Sequence, residues 1–192
     1  MPPRTGLTLQ SILQAATALA DEHGLNEVTL TILAQKLGVR SPSLYNHVNG
    51  LPGLRREMAL AGLHQLKDTL MRAAVGRSED KAIREMSRAY LEFARAHPGL
   101  YEATLYTSDI DDTEINEIKN QTLELFIQVL TGFDLSDEAL IHAIRGLRSV
   151  LHGFSSLERI GGFGLNVDID QSFELIINTF LQGLHTVPSN HN

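Results

Sequence analysis

Between Arg40 and His47 the chain carries a guanidinium, two serine hydroxyls, a proline, a tyrosine, an asparagine and an imidazole. Arg and Asn can read base edges through paired hydrogen bonds, and Ser, Tyr and His can bond bases or phosphate oxygens. The apolar members of the stretch are Leu44 and Val48, spaced to anchor one side of a short helix while the polar groups face outward. Such a helix suits a DNA major groove, which admits one helix and is read by its leading residues.

The flanking residues must position it. Thr29 is a plausible N-cap, and Ile32, Leu33 and Leu37 form one apolar face of a preceding helix. Gly38 supplies the left-handed residue that ends it, Val39 packs inward, and Ser41-Pro42 restarts the chain with Ser41 as cap and Pro42 first in the helix. A second helix of about two turns then ends at Asn49-Gly50. Helix, glycine turn, helix is a helix-turn-helix signature. On spacing alone, an ordinary hairpin in a helical core is the competing reading.

Leu33-Ala34-Gln35-Lys36-Leu37-Gly38-Val39 followed by Ser43-Leu44-Tyr45-Asn46-His47-Val48 resembles the DNA-binding signature of the TetR family of transcriptional repressors. The resemblance includes Leu9–Gly24, where that family's first helix lies, and Leu54, which opens its fourth; Val48 stands where most members have Phe, and Leu51 where many carry Lys. It implies base contacts from Arg40, Ser41, Ser43 and Asn46, phosphate contacts from Thr29, Tyr45 and His47, and an apolar contact from Pro42 to a thymine methyl.

Composition bounds the rest. The 192 residues suffice for one core or two small ones, no cysteine is present, and no apolar run reaches membrane-spanning length. The expectation is a soluble, cytoplasmic protein without membrane contact. The net charge is −7, yet residues 1–60 sum to +1 and the remainder to −8, so the acid lies away from the recognition segment. Phosphate neutralisation dominates DNA affinity, so +1 relies on two copies and on uncharged donors. Arg4 is either a phosphate or minor-groove contact or part of a free tail.

Helical periodicity continues throughout. A first helix from Thr8 to His23 braces the hairpin, and a long helix runs from Gly53 to Ala74 after the break Gly50-Leu51-Pro52-Gly53. Ser78 caps a helix to Ala96 bearing Ile83, Met86, Tyr90 and Phe93, His97-Pro98-Gly99 breaks the chain, and a short helix covers Leu100 to Tyr106. The acidic stretch Ser108–Glu114 lacks the glycine and closing glutamate of a calcium loop and reads as a solvated loop and helix cap. Ile115–Leu130 is amphipathic through Leu123, Phe126, Ile127 and Leu130. Helices over 136–160 and 170–186 follow, the latter capped by Asp170 and apolar nearly all round. That breadth predicts burial on more than one side, and a two-fold dimer is the economical means. Leu147–Phe154 with Gly161–Gly164 is similar to the C-terminal domain of one TetR subgroup, in which the last two helices build a four-helix dimer interface.

Catalytic and metal chemistry find little support. The eight histidines offer no i, i+4 pair and no His-Glu-x-x-His pattern, and no phosphate-cradling loop is present. Neither metal nor cofactor is expected. The resemblance implies a small-molecule cavity among the central helices, for which Tyr90, Phe93, Tyr101, Phe126, Arg148 and His152 are candidate lining residues; helical core is the alternative for the aromatics, and a structural or interface role for Arg148 and His152. The sequence thus predicts an all-α protein of about nine helices, with a DNA-binding domain over 1–50 and a ligand-sensing, dimerising domain over 51–192. As a homodimer it would bind double-stranded DNA and be released by an unknown effector. A DNA-binding module governed by a protein partner, or an all-α enzyme using the central cavity, are the alternatives.

Overall fold

The computed structural model describes residues 7–107 and 112–187. Arg4, His191 and the greater part of the acidic turn, 108–111, lie outside the described residues. Those described form nine α-helices and two short 3-10 turns, with no strand among them.

By packing, the chain forms two compact units that interleave in sequence. The first is Met1–Gln65 with His97–Ile118, and the second is Leu66–Ala96 with Lys119–Asn192. Residue 50 is therefore not a packing boundary: the helix expected to open the second domain begins by completing the core of the first unit.

In the first unit, α1 (Leu9–His23) starts with a reciprocal cap, the Thr8 side chain accepting from the Ser11 N–H while Ser11 Oγ accepts from the Thr8 N–H. Its buried face is Ile12, Ala16, Leu19 and Ala20. Helix α2 (Leu30–Leu37) is capped by Thr29, whose Oγ1 accepts from the Ile32 N–H at 3.2 Å. Gly38 follows at φ 66°, its N–H returning to the carbonyls of Ala34 and Gln35.

The next helix, α3, is shorter than the sequence predicts. Only Ser41–Leu44 is regular, Arg40 rather than Ser41 is the N-cap, and Pro42 lies one position further in. Beyond it the bonds His47 N–H to Leu44 C=O and Val48 N–H to Leu44 C=O keep the chain turning. A proline without an N–H and a four-residue core leave too few i→i−4 bonds for two full turns. Helix α4 (Gly50–Ala74) starts at once, so Gly50-Leu51-Pro52-Gly53 is its first turn instead of a linker.

Leu25, Val28, Leu33, Leu44, Val48, Leu54 and Met58 close on the α1 face as one core, with Ala103 contributed from α6 (Pro98–Leu105). Removing each large side chain from water stabilises by about 1.5–3 kcal/mol. Pro98 and Gly99, expected to break the chain, are the first residues of α6. A Cβ on Gly99 would lie 2.3 Å from the Ala20 carbonyl carbon, so glycine is what lets α6 rest on α1. Asp21 Oδ1 then accepts the N–H of Gly99 at 2.8 Å and of Leu100 at 3.4 Å, serving as a cap from another helix. On the α4 side, Gly62 faces Thr104 and Leu100 almost as closely. Helix α7 (Thr113–Leu130) places Ile115 and Ile118 against Leu60.

The second unit holds the rest of α4 and α7 with α5 (Glu79–Ala96), α8 (Asp137–Arg159) and α9 (Ile169–Leu184). Ile83, Met86, Tyr90 and Phe93 are buried on α5, as their spacing predicts. Phe154 of α8 packs on Phe173 of α9, with ring centroids 4.9 Å apart. Ion pairs tie α5 to the last helices: Arg88 to Glu174, and Arg95 to both Glu158 and Asp170, each at 2.6 Å. Asp170 is thus a salt-bridge partner, and the α9 cap is Asp168, whose side chain accepts from the Gln171 N–H. Helix α9 buries only Phe173, Ile177, Leu181 and Leu184, not its whole circumference. Leu175 and Ile176 stay exposed because one chain covers one face. Of the expected α7 face, only Leu130 is buried; Leu123 and Ile127 are exposed.

Candidate nucleic-acid interface

The segment from Arg40 to Val48 separates cleanly into an inner and an outer side. Leu44 and Val48 are 0% and 4% exposed and pin it to the α1, α2 and α4 core. Tyr45 is 60% exposed, Arg40, Pro42, Asn46 and His47 are exposed, and Ser41 and Ser43 are half-buried. Thr29, half-buried, uses its hydroxyl oxygen as the α2 cap, and the hydroxyl proton remains for an outside acceptor. The eight sequence-derived contact residues therefore belong to one capped, glycine-turned motif with its polar groups outward.

Arg56, counted in the sequence only as one of the basic residues of 1–60, pairs with three carboxylates. Its guanidinium bonds Asp112 at 2.6 and 3.1 Å, Glu114 at 2.9 Å and Glu57 at 2.6 Å, joining α4 to the start of α7. These bonds, Asp112 foremost, raise its pKa further, and the Arg56 hydrogen bond in turn holds the Asp112 carboxyl below the usual aspartate range. Asp112 also accepts the Glu114 and Ile115 N–H groups, so it caps α7 while pairing. A lowered folded pKa means stabilisation that is full above the unfolded value, about 4, and is lost as pH falls through the folded value. Asp112→Asn should therefore lower the thermal midpoint at pH 7, with the gap from the natural chain closing on acidification below about pH 4. Midpoints followed by circular dichroism across that range check it; a constant gap would mean that the carboxylate charge is irrelevant.

The expected effector residues are distributed over both units. Tyr101 is buried on α6 in the first unit, whereas Tyr90, Phe93, Phe126, Arg148 and His152 belong to the second. There Tyr90 and Phe93 are buried, Phe126 and His152 are half-buried, and Arg148 is exposed. His152 Nδ1 lies 3.5 Å from Ser156 Oγ. Lys119, which the sequence did not single out, has its pKa lowered by burial and by the nearby Arg148 charge, so two cations converge there. Among the described residues no group of three or more His, Asp or Glu could hold a metal ion, and no helix is long and apolar enough to cross a membrane.

A capped helix, a left-handed glycine and a short helix with an outward polar face define a helix-turn-helix DNA-binding protein. Residues 83–180 match the family model described as the tetracyclin repressor-like C-terminal domain. The chain is 42% identical over 186 residues to YobS of Bacillus subtilis strain 168, named an uncharacterized HTH-type transcriptional regulator, covering 96% of each. Its fold is similar to that of a possible TetR family transcriptional regulator from Streptomyces coelicolor A3(2) (TM-score 0.72, 17% identity, 94% of this chain and 100% of that one). It is also similar to a TetR variant from Acinetobacter baumannii AYE in complex with minocycline (TM-score 0.68, 20% identity, 93% and 96% covered). The chain belongs to the TetR family of transcriptional regulators.

Proposed function

We propose that this regulator is a repressor that binds a palindromic operator as a homodimer and is released by a small molecule. The observation that carries the DNA-reading part is the outward set Arg40, Pro42, Tyr45, Asn46 and His47 over buried Leu44 and Val48. On this reading residues 1–50 make the DNA contacts, Ser41, Ser43 and Asn46 with Arg40 at bases and Thr29, Tyr45 and His47 at phosphates. Residues 51–192 dimerise and sense the effector, and the protein works in the cytoplasm as a non-enzymatic switch without a cofactor.

Dimerisation through α8 and α9 is supported by the apolar side chains that one chain leaves in water, Ile141 and Leu157 on α8 and Leu175 and Ile176 on α9. Leu175→Glu should convert dimer to monomer in sedimentation velocity with the helical content retained. A dimer that persists would place the interface elsewhere. Release by a small molecule draws on the minocycline complex of the Acinetobacter protein.

Selection of bound duplexes from a random library at two salt concentrations tests the reading. An inverted repeat with half-sites about one helical turn apart, or slightly more, is expected. Weak, salt-sensitive binding without sequence preference would overturn it.

A further inference from the structure

The first unit contains a second candidate ligand site, whose lining includes none of the effector residues above. A pocket of about 280 Å³ is lined by Leu25, Leu51, Pro52, Arg55, Ala103 and Tyr106. Leu25, Leu51, Pro52 and Ala103 offer carbon alone, Tyr106 a ring with a hydroxyl, and Arg55 is the charged member. Arg55 Nε is buried and, among the described residues, has no hydrogen-bond partner. A buried donor on a permanent cation that lacks an acceptor costs free energy, and a ligand oxygen would recover it. By contrast the neighbouring Arg56 is saturated with carboxylates.

The lining selects the chemistry. One guanidinium compensates one negative charge, and a dianion would leave its second charge against hydrocarbon. The apolar wall would take an alkyl or aryl body. The volume lies near the lower end of small-molecule sites, about 300–1,000 Å³, which excludes large ligands. We infer that this pocket binds a small apolar monocarboxylate, its carboxylate on Arg55 and its hydrocarbon against Leu25, Leu51, Pro52 and Ala103. Leu25 precedes the helix-turn-helix and Leu51 lies in the first turn of α4, so an occupant touches the chain on both sides of that motif.

Isothermal titration of the full chain with octanoate, 1-octanol, acetate and inorganic phosphate tests the site directly, without DNA or an effector. Octanoate should bind at least about ten-fold more tightly than octanol, the advantage of one charge-assisted pair, and acetate and phosphate should not compete. Arg55→Gln should abolish the preference for octanoate over octanol, and Arg55→Lys should keep part of it. The inference is overturned if octanoate fails to bind at millimolar concentration, or if octanol binds equally well. Competition by acetate or phosphate at matching concentration overturns it too, since the apolar wall would then contribute nothing. If Arg55→Gln does not fold, the octanoate-to-octanol ratio in the natural chain and in Arg55→Lys decides the matter. Failure of operator binding leaves every one of these readings intact, so the two proposals stand or fall separately.

Discussion

Gly99→Ala is expected to destabilise the first unit by about 3 kcal/mol, the upper end of what overpacking a close contact costs. The added methyl would lie 2.3 Å from the carbonyl carbon, 2.4 Å from Cβ and 2.6 Å from the oxygen of Ala20. Two of those atoms are backbone, so no rotamer change relieves the clash, and α6 must back away from α1. Retreat also stretches the two bonds from the Gly99 and Leu100 N–H groups to Asp21 and draws Ala103 out of the shared core. Gly153→Ala in α8 is the matched comparison when both changes are made in the Leu175→Glu chain, because nothing within one chain lies within 4 Å of a Cβ there. That change should leave stability unaltered or raise it by up to about 1 kcal/mol through helix propensity. Urea midpoints of both variants measure the difference. Equal midpoints would mean that α6 does not depend on contact with α1.

That contact could not be read from the sequence, and the reason is physical. His97-Pro98-Gly99 carries the residues that stop helices, and the same proline and glycine also suit a first helical turn. What decides is Ala20, distant along the chain and adjacent in space. The same holds for Asp168 and Asp170: either can cap α9 by position, and Arg95 claims the second. Arg56 with Asp112 and Glu114 is likewise a long-range assembly of residues that singly look like solvated charge. Local signals fared better where the deciding interaction is itself local. Thr29 bonding three residues on, Gly38 in the left-handed region, and the buried Ile83, Met86, Tyr90 and Phe93 face all follow from periods and caps. For the recognition segment the sequence identified which residues point outward, because Leu44 and Val48 fix its rotation. It overstated the length of regular helix, because Pro42 and the early start of α4 curtail the ladder. The α9 apolar surplus was legible too, but one chain buries only part of it.

Asn46→Ala and Tyr45→Ala should each weaken binding to a selected operator while the thermal midpoint stays put, and Leu44→Ala should do the reverse first. Asn46 and Tyr45 are exposed and contribute nothing to the core, so their removal should change stability by no more than about 0.5 kcal/mol. A base contact is worth about 1–3 kcal/mol, so Asn46→Ala should cost roughly 5- to 150-fold in specific affinity and relax the preference at one position of each half-site. Tyr45→Ala should weaken specific and random duplexes alike, as a phosphate contact does. Leu44, fully buried, leaves a cavity at the centre of the motif, a loss of about 2–5 kcal/mol that removes binding by unfolding the reader. Titration of operator and random duplex against all three variants, beside their melting curves, separates these roles. If Asn46→Ala weakens both duplexes equally, Asn46 holds DNA without reading it. Specificity would then have to reside in Arg40, Ser41 and Ser43, at the start of the same helical turn.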